Sequence, residues 1–158
     1  MRAVDVVRGY KGPIVDVGSG GGVPGIPLAV SLPTRAVTLL ESNRRKCEFL
    51  ERWAPRNVTV VHGRAEEQET DAYGVAVAKA LAPPPVAAEW CLPLVWRGGA
   101  VVLWVGPSVD SDHVERVAGR LGGKLLSAEK GLLVLHKHEP TPPGFPRRTG
   151  VARKRPLG

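Results

Sequence analysis

Sulfur, aromatic rings and long apolar runs are all scarce in this chain. Among 158 residues there are two cysteines, one methionine and only 5% aromatic side chains. Cys47 and Cys91 stand far apart, each inside a predicted helix and with no His or Cys at ligand spacing. That excludes a disulfide framework and a thiolate metal site, so both are expected to be buried thiols and no metal is expected. No apolar run reaches the roughly eighteen residues of a membrane-spanning helix, and the start Met-Arg-Ala-Val-Asp lacks the apolar segment of a signal peptide. The expectation is a soluble cytoplasmic protein with no membrane partner. Acidic residues are missing from one place in particular. Residues 140–158 contain Arg147, Arg148, Arg153, Lys154 and Arg155 and no acid, so most of the net charge of +7 lies there. Charge concentrated in this way points to a polyanion, and to nucleic acid before membrane because no amphipathic helix accompanies it.

Glycine and proline, by contrast, are plentiful, and they gather where the chain is most informative. Residues 14–27 read Ile-Val-Asp-Val-Gly-Ser-Gly-Gly-Gly-Val-Pro-Gly-Ile-Pro. A short apolar strand runs into a glycine cluster and then a helix start, an arrangement that brings bare backbone and unpaired N–H groups up to a ligand. Gly20, Gly22 and Gly25 satisfy the dinucleotide pattern G-x-G-x-x-G, which alone is a weak signal. Asp16, at the end of the strand, would repel a pyrophosphate but could accept hydrogen bonds from an ammonium group. Pro24 and Pro27 also remove N–H donors that a phosphate cradle would use. S-adenosyl-L-methionine, with an ammonium and a sulfonium and no phosphate, therefore fits better than a dinucleotide.

The remaining pattern predicts one α/β domain over residues 13–139, preceded by a short lead-in at 1–12 and followed by a basic tail at 140–158. Strands are predicted at 14–18, 36–40, 58–61, 75–78 and 100–105, with helices between them. Two more strands, 124–128 and 132–136, lie too close for a parallel crossover and must form a hairpin. The fold class is thus Rossmann-like, a seven-stranded and mostly parallel sheet with an antiparallel terminal hairpin. Ser42 is the expected cap of the helix over 43–54. Glu41 ends the second strand 21 residues after Gly20, where an acid meets the ribose hydroxyls of a nucleoside. Lys79 ends the fourth strand at the ligand edge. His62 is assigned no chemistry, and His113 is expected on a solvated face. The tail, without apolar periodicity, is expected to be a loop or extended arm whose Arg147, Arg148, Arg153, Lys154 and Arg155 contact phosphates.

The loop after the fourth strand reads Leu81-Ala-Pro-Pro-Pro-Val86, without the polar and aromatic members that serve amine acceptors, and it offers no cysteine for C5 chemistry. An acceptor with a free lone pair, such as guanine N7, remains. Asp16 to Ala29, Leu40 to Leu50, Gly63-Arg-Ala-Glu66 and Phe145 to Leu157 together resemble the small-subunit rRNA guanine-N7 methyltransferases, also called the glucose-inhibited division protein B family. The resemblance implies a class I S-adenosylmethionine-dependent methyltransferase acting on one guanine of bacterial 16S rRNA, with the rRNA or the 30S subunit as partner, and a monomer is expected. It puts Gly18 and Val23 against the donor and Ala65 and Glu66 beside its adenosine. Lys79 stands where the family usually carries arginine. Only about thirteen residues precede the first strand, where family members usually begin with several helices. Other readings are a donor-binding or RNA-binding protein of the same fold without activity, a methyltransferase for a small molecule or protein, and a nicotinamide-dependent oxidoreductase.

Overall fold

A computed structural model describes residues 2–158. The central parallel strands form where apolar residues run without alternation, since both faces must be covered. In β1 (Ile14–Val17) all four residues are buried, as is Gly74–Ala78 of β4 (Tyr73–Lys79). β2 (Val37–Glu41), β3 (Val58–His62) and β5 (Val95–Trp104) complete the parallel part. β6 (Gly123–Glu129) and β7 (Leu132–Lys137) form the expected hairpin, and β7 joins β5 antiparallel. The sheet order is β3-β2-β1-β4-β5-β7-β6. The chain first winds outward from β1 to β3 and then restarts on the other side of β1 with β4. This reversal leaves a crevice at the carboxyl ends of β1 and β4.

The same reversal separates two helical layers. α2 (Gly25–Ser31) and α3 (Arg44–Trp53) contribute Leu28 and Leu50 to one core cluster, while α4 (Pro84–Cys91) and α5 (Ser111–Arg120) contribute Ala88 and Val117 to the other. α3 begins one residue later than predicted. Asn43, not Ser42, is its cap, the side chain accepting from the Lys46 N–H at 3.1 Å, because β2 extends through Glu41.

Both ends of the chain are more ordered than the sequence suggested. Residues 2–8, expected as a frayed lead-in, form α1 (Arg2–Arg8). Ala3, Val4 and Val7 are buried in the same cluster as α2 and α3, and a stretch so short has too little periodicity to announce this. The tail is not an extended arm. It folds back beside α4, makes the short helix α6 (Val151–Lys154), and buries Ala152 and Leu157. Apolar residues scattered among the arginines find a place against the α4–α5 layer, where Phe145 also packs. His113, expected in solvent, meets the Leu157 carbonyl through Nε2 at 2.7 Å. No helix among the described residues is long and apolar enough to cross a membrane.

Candidate functional site

The glycine loop crosses the carboxyl ends of β1 and β2, where the N–H groups of Gly18 and Ser19 both donate to the Leu40 carbonyl, at 2.8 and 3.2 Å. Gly18 and Gly20 have φ of +71° and +54°, a region that costs L side chains but not glycine. At Gly25 a Cβ would collide with Leu39 and with the Asp16 carboxylate, so that helix α2 can approach the sheet only with glycine there.

Asp16 is fully buried beneath this loop and does not line the crevice above it. Its Oδ2 accepts the Gly25 N–H at 3.0 Å, and its Oδ1 has no partner among the described residues. The contact expected from the sequence, with a ligand's ammonium group, is thus replaced by one that anchors the start of α2. Burial raises the Asp16 pKa to about 7, against the opposing effect of the Gly25 N–H, and nearby Glu41 adds to the rise. Gly22 likewise faces inward, towards Ile26 and Leu50.

Glu41 does reach the crevice. Oε1 accepts the Gly20 N–H at 2.9 Å and Oε2 accepts the Asn43 N–H at 2.7 Å. An ionised carboxylate offers about four acceptor positions, so two remain after these bonds. The carboxylate therefore shapes the loop and still presents acceptors to a ligand. Gly18, Gly20 and Val23 form one side of a cleft of about 640 Å³, with Glu41, Glu66 and Lys79 around it. A narrow extension of about 50 Å³ runs past Gly63 and Ala65. Lys79 ends β4 and is exposed, and the next residue, Ala80, holds a left-handed φ of +53° on the cleft wall. Strain at a non-glycine residue persists only where the surroundings enforce it.

Several wall residues escaped sequence reading. Arg64, Leu81 and Trp90 line both the cleft and its extension, and Lys46 stands at the rim from the first turn of α3. The tail supplies two more, Gly150 and Arg153. Gly150 donates its N–H to Glu66 at 3.3 Å, and the Arg153 guanidinium lies 5.5 Å from the centre of the Trp90 ring. The Trp90 indole N–H is buried with no partner among the described residues. Only the apolar residues Phe145, Val151 and Leu157 in the tail could have signalled its return to the body. Beyond Arg153 a second cleft of about 440 Å³ opens between Pro83–Val86 and Ser108–Asp110.

The five tail cations do not share one role. Arg147 forms a fork with the buried Glu89, with Nη2 2.6 Å from Oε2, and also donates to the Arg155 carbonyl. It is thus withdrawn from the phosphate contact expected of it. Arg148, Lys154 and Arg155 are exposed, and Arg153 is divided between Trp90 and the Leu81 carbonyl. Cys91 is buried and its thiol pKa is pushed up by burial, which rules it out as a nucleophile.

A sheet of this order, with a glycine loop after β1 and an acid at the end of β2, defines the class I methyltransferase architecture. Solved structures agree on the fold. The Thermus thermophilus 16S rRNA N2 G1207 methyltransferase in complex with AdoMet and guanosine matches with a TM-score of 0.64 at 18% identity, over 90% of this chain and 40% of that one. The antibiotic-resistance methyltransferase Kmr matches at 0.64 and 14% identity, over 87% and 90%. In sequence the chain is 37% identical to the ribosomal RNA small subunit methyltransferase G of Synechococcus elongatus, over 94% of this chain and 70% of the relative. It is 33% identical to that of Clostridium beijerinckii, over 98% and 76%. The family description "rRNA small subunit methyltransferase G" matches residues 1–119, and the chain belongs to this family.

Proposed function

We propose that the cleft binds S-adenosyl-L-methionine and that the protein transfers the methyl group to N7 of a guanine in 16S rRNA. The observation that carries this reading is Glu41, whose carboxylate holds the glycine loop by two backbone N–H groups and keeps acceptors on the cleft wall for two ribose hydroxyls. The glycine backbone and the narrow extension past Gly63 and Ala65 fit a nucleoside at the same place. When bound, the donor supplies a methyl whose C–S bond breaks with its electron pair going to sulfur, while the N7 lone pair forms the new N–CH3 bond and takes over the positive charge. No proton has to be removed, which suits a wall whose carboxylates among the described residues, Glu41 and Glu66, are already engaged with backbone N–H groups.

The work of the chain is then positioning. Gly18 to Val23 hold the donor from one side, Ala65 and Glu66 lie along the adenosine, and Lys79 and Arg153 stand where the acceptor nucleotide enters from the second cleft. Methyl transfer to 16S rRNA or 30S particles taken from cells lacking the modification, followed by mass mapping, tests this. One N7-methylated guanine is expected. Donor binding without transfer to either substrate would identify a donor-binding protein of the same fold.

A further inference from the structure

Eight aromatic side chains serve the whole molecule, and two of them are left on its surface side by side. Phe49 and Trp53 are 47% and 66% exposed, four residues apart on α3, with ring centroids 6.4 Å apart. Large apolar groups in such a position mark a contact surface when their neighbours name a partner. At 3.6 residues per turn, Cys47 and Leu50 point to the core, and the outer arc carries Arg45, Phe49, Arg52 and Trp53, with Lys46 beside Trp53. Glu48 and Glu51 fall on the other flank with Arg44, which lies 3.9 Å from Glu48. Among the described residues Arg45, Arg52 and the nearby Arg56 have no ion-pair partner. The acids are thus kept off the aromatic stripe and the cations are left on it. Lys46 also lines the donor cleft, so the stripe starts at the cleft rim and runs about 10 Å along the helix to Trp53.

We infer that this face of α3 is a docking track for single-stranded RNA flanking the methylated guanine, with bases stacked on Phe49 and Trp53 and phosphates neutralised by Arg45 and Arg52. The track rests on the proposed rRNA methyltransferase activity. Alternating aromatic and basic side chains bind single strands without reading sequence, because every base has a π-face and every nucleotide a phosphate. A second copy of the chain seated on the same stripe would set arginine against arginine, whereas RNA supplies their counter-charge at every nucleotide.

Two double variants separate stacking from charge. Binding of a short single-stranded RNA is titrated at several salt concentrations with the parent, with Phe49→Ala/Trp53→Ala and with Arg45→Ala/Arg52→Ala, alongside donor affinity, melting temperature and sedimentation. All four positions are exposed, so donor affinity and melting temperature should hold. The aromatic pair should lose at least tenfold in RNA affinity at an unchanged salt slope. The arginine pair should flatten the log–log slope by about 1.4. If the parent methylates 16S rRNA and the aromatic variant binds RNA within twofold of it, the track is refuted and the activity stands. A parent that neither binds RNA nor methylates it refutes both. A parent dimer dissolved by the aromatic substitutions would make the stripe a self-association face and refute the track.

Discussion

Glu41 and Asp16, two acids at the ends of neighbouring strands, receive opposite treatment from the fold. Glu41 is held by two N–H donors at the cleft, so Glu41→Ala removes charge-assisted bonds worth on the order of 1.5–3 kcal/mol each. Donor affinity should fall at least tenfold in calorimetry; an unchanged value would take Glu41 out of the site. Asp16 is buried with one oxygen unpartnered and a pKa raised to about 7, whereas the unfolded chain ionises it near 4. Between those values the unfolded state has released a proton that the native state keeps, so the stability Asp16 contributes is complete below pH 4 and declines as pH rises to about 7. Asp16→Asn does not titrate. Its melting temperature should therefore gain on the parent's as pH is raised through this window, and a constant difference would show that Asp16 ionises normally. Lys79 faces the cleft from a strand end beside the strained Ala80. Lys79→Ala should slow methyl transfer, and Lys79→Arg should be tolerated or faster, since it restores the fork that the family resemblance leads one to expect.

At the scale of elements, the tail behaves differently from a free basic arm. Arg147 pairs with a carboxylate that is itself buried, and Gly150 and Arg153 complete the cleft wall. Removing residues 147–158 would leave Glu89 uncompensated, a loss of about 3–5 kcal/mol for a buried pair, and would open the cleft. Both urea stability and donor affinity should drop; an extended arm would have left both nearly unchanged. Of the cations expected at phosphate, Arg148, Lys154 and Arg155 remain exposed. Arg148→Ala/Lys154→Ala/Arg155→Ala keeps the packing and should flatten the salt slope of rRNA binding by about 2. Equal slopes would assign the tail to structure alone.

Across the whole molecule, a buried lysine ties together segments distant in sequence. Lys137 on β7 is fully buried; its ammonium group donates to the carbonyls of Leu92 and Val95 at 2.7 Å each, and its third N–H is shared between Thr141 Oγ1 at 2.9 Å and the Asp71 carboxylate at 3.2 Å. Burial lowers its pKa, opposed by Asp71. Lys137→Met removes the charge and strands the Leu92 and Val95 carbonyls, while Asp71 keeps its bonds from Thr141, so a loss of about 2–5 kcal/mol in urea unfolding is expected. A loss under about 1 kcal/mol would mean that water replaces these bonds.

Sequence patterns determined what depends on neighbours along the chain. Strand-glycine-helix at 14–27, an acid at the end of the next strand, and two strands too close for a crossover required an α/β sheet with a terminal hairpin and put Gly18, Gly20 and Glu41 on the cleft at its carboxyl edge. Tertiary structure decided what depends on residues meeting from far apart. Asp16 was legible as an acid beside the loop, but its burial came from α2 closing over it. The meeting of Trp90 and Arg153 on the cleft wall carried no local signature, since one reads as a helix residue and the other as a phosphate contact in the tail. Arg147 turned away from phosphate because Glu89, 58 residues earlier, needed a counter-charge once buried. Periodicity reports which face of an element is apolar; it cannot report which distant charge or ring that face will find.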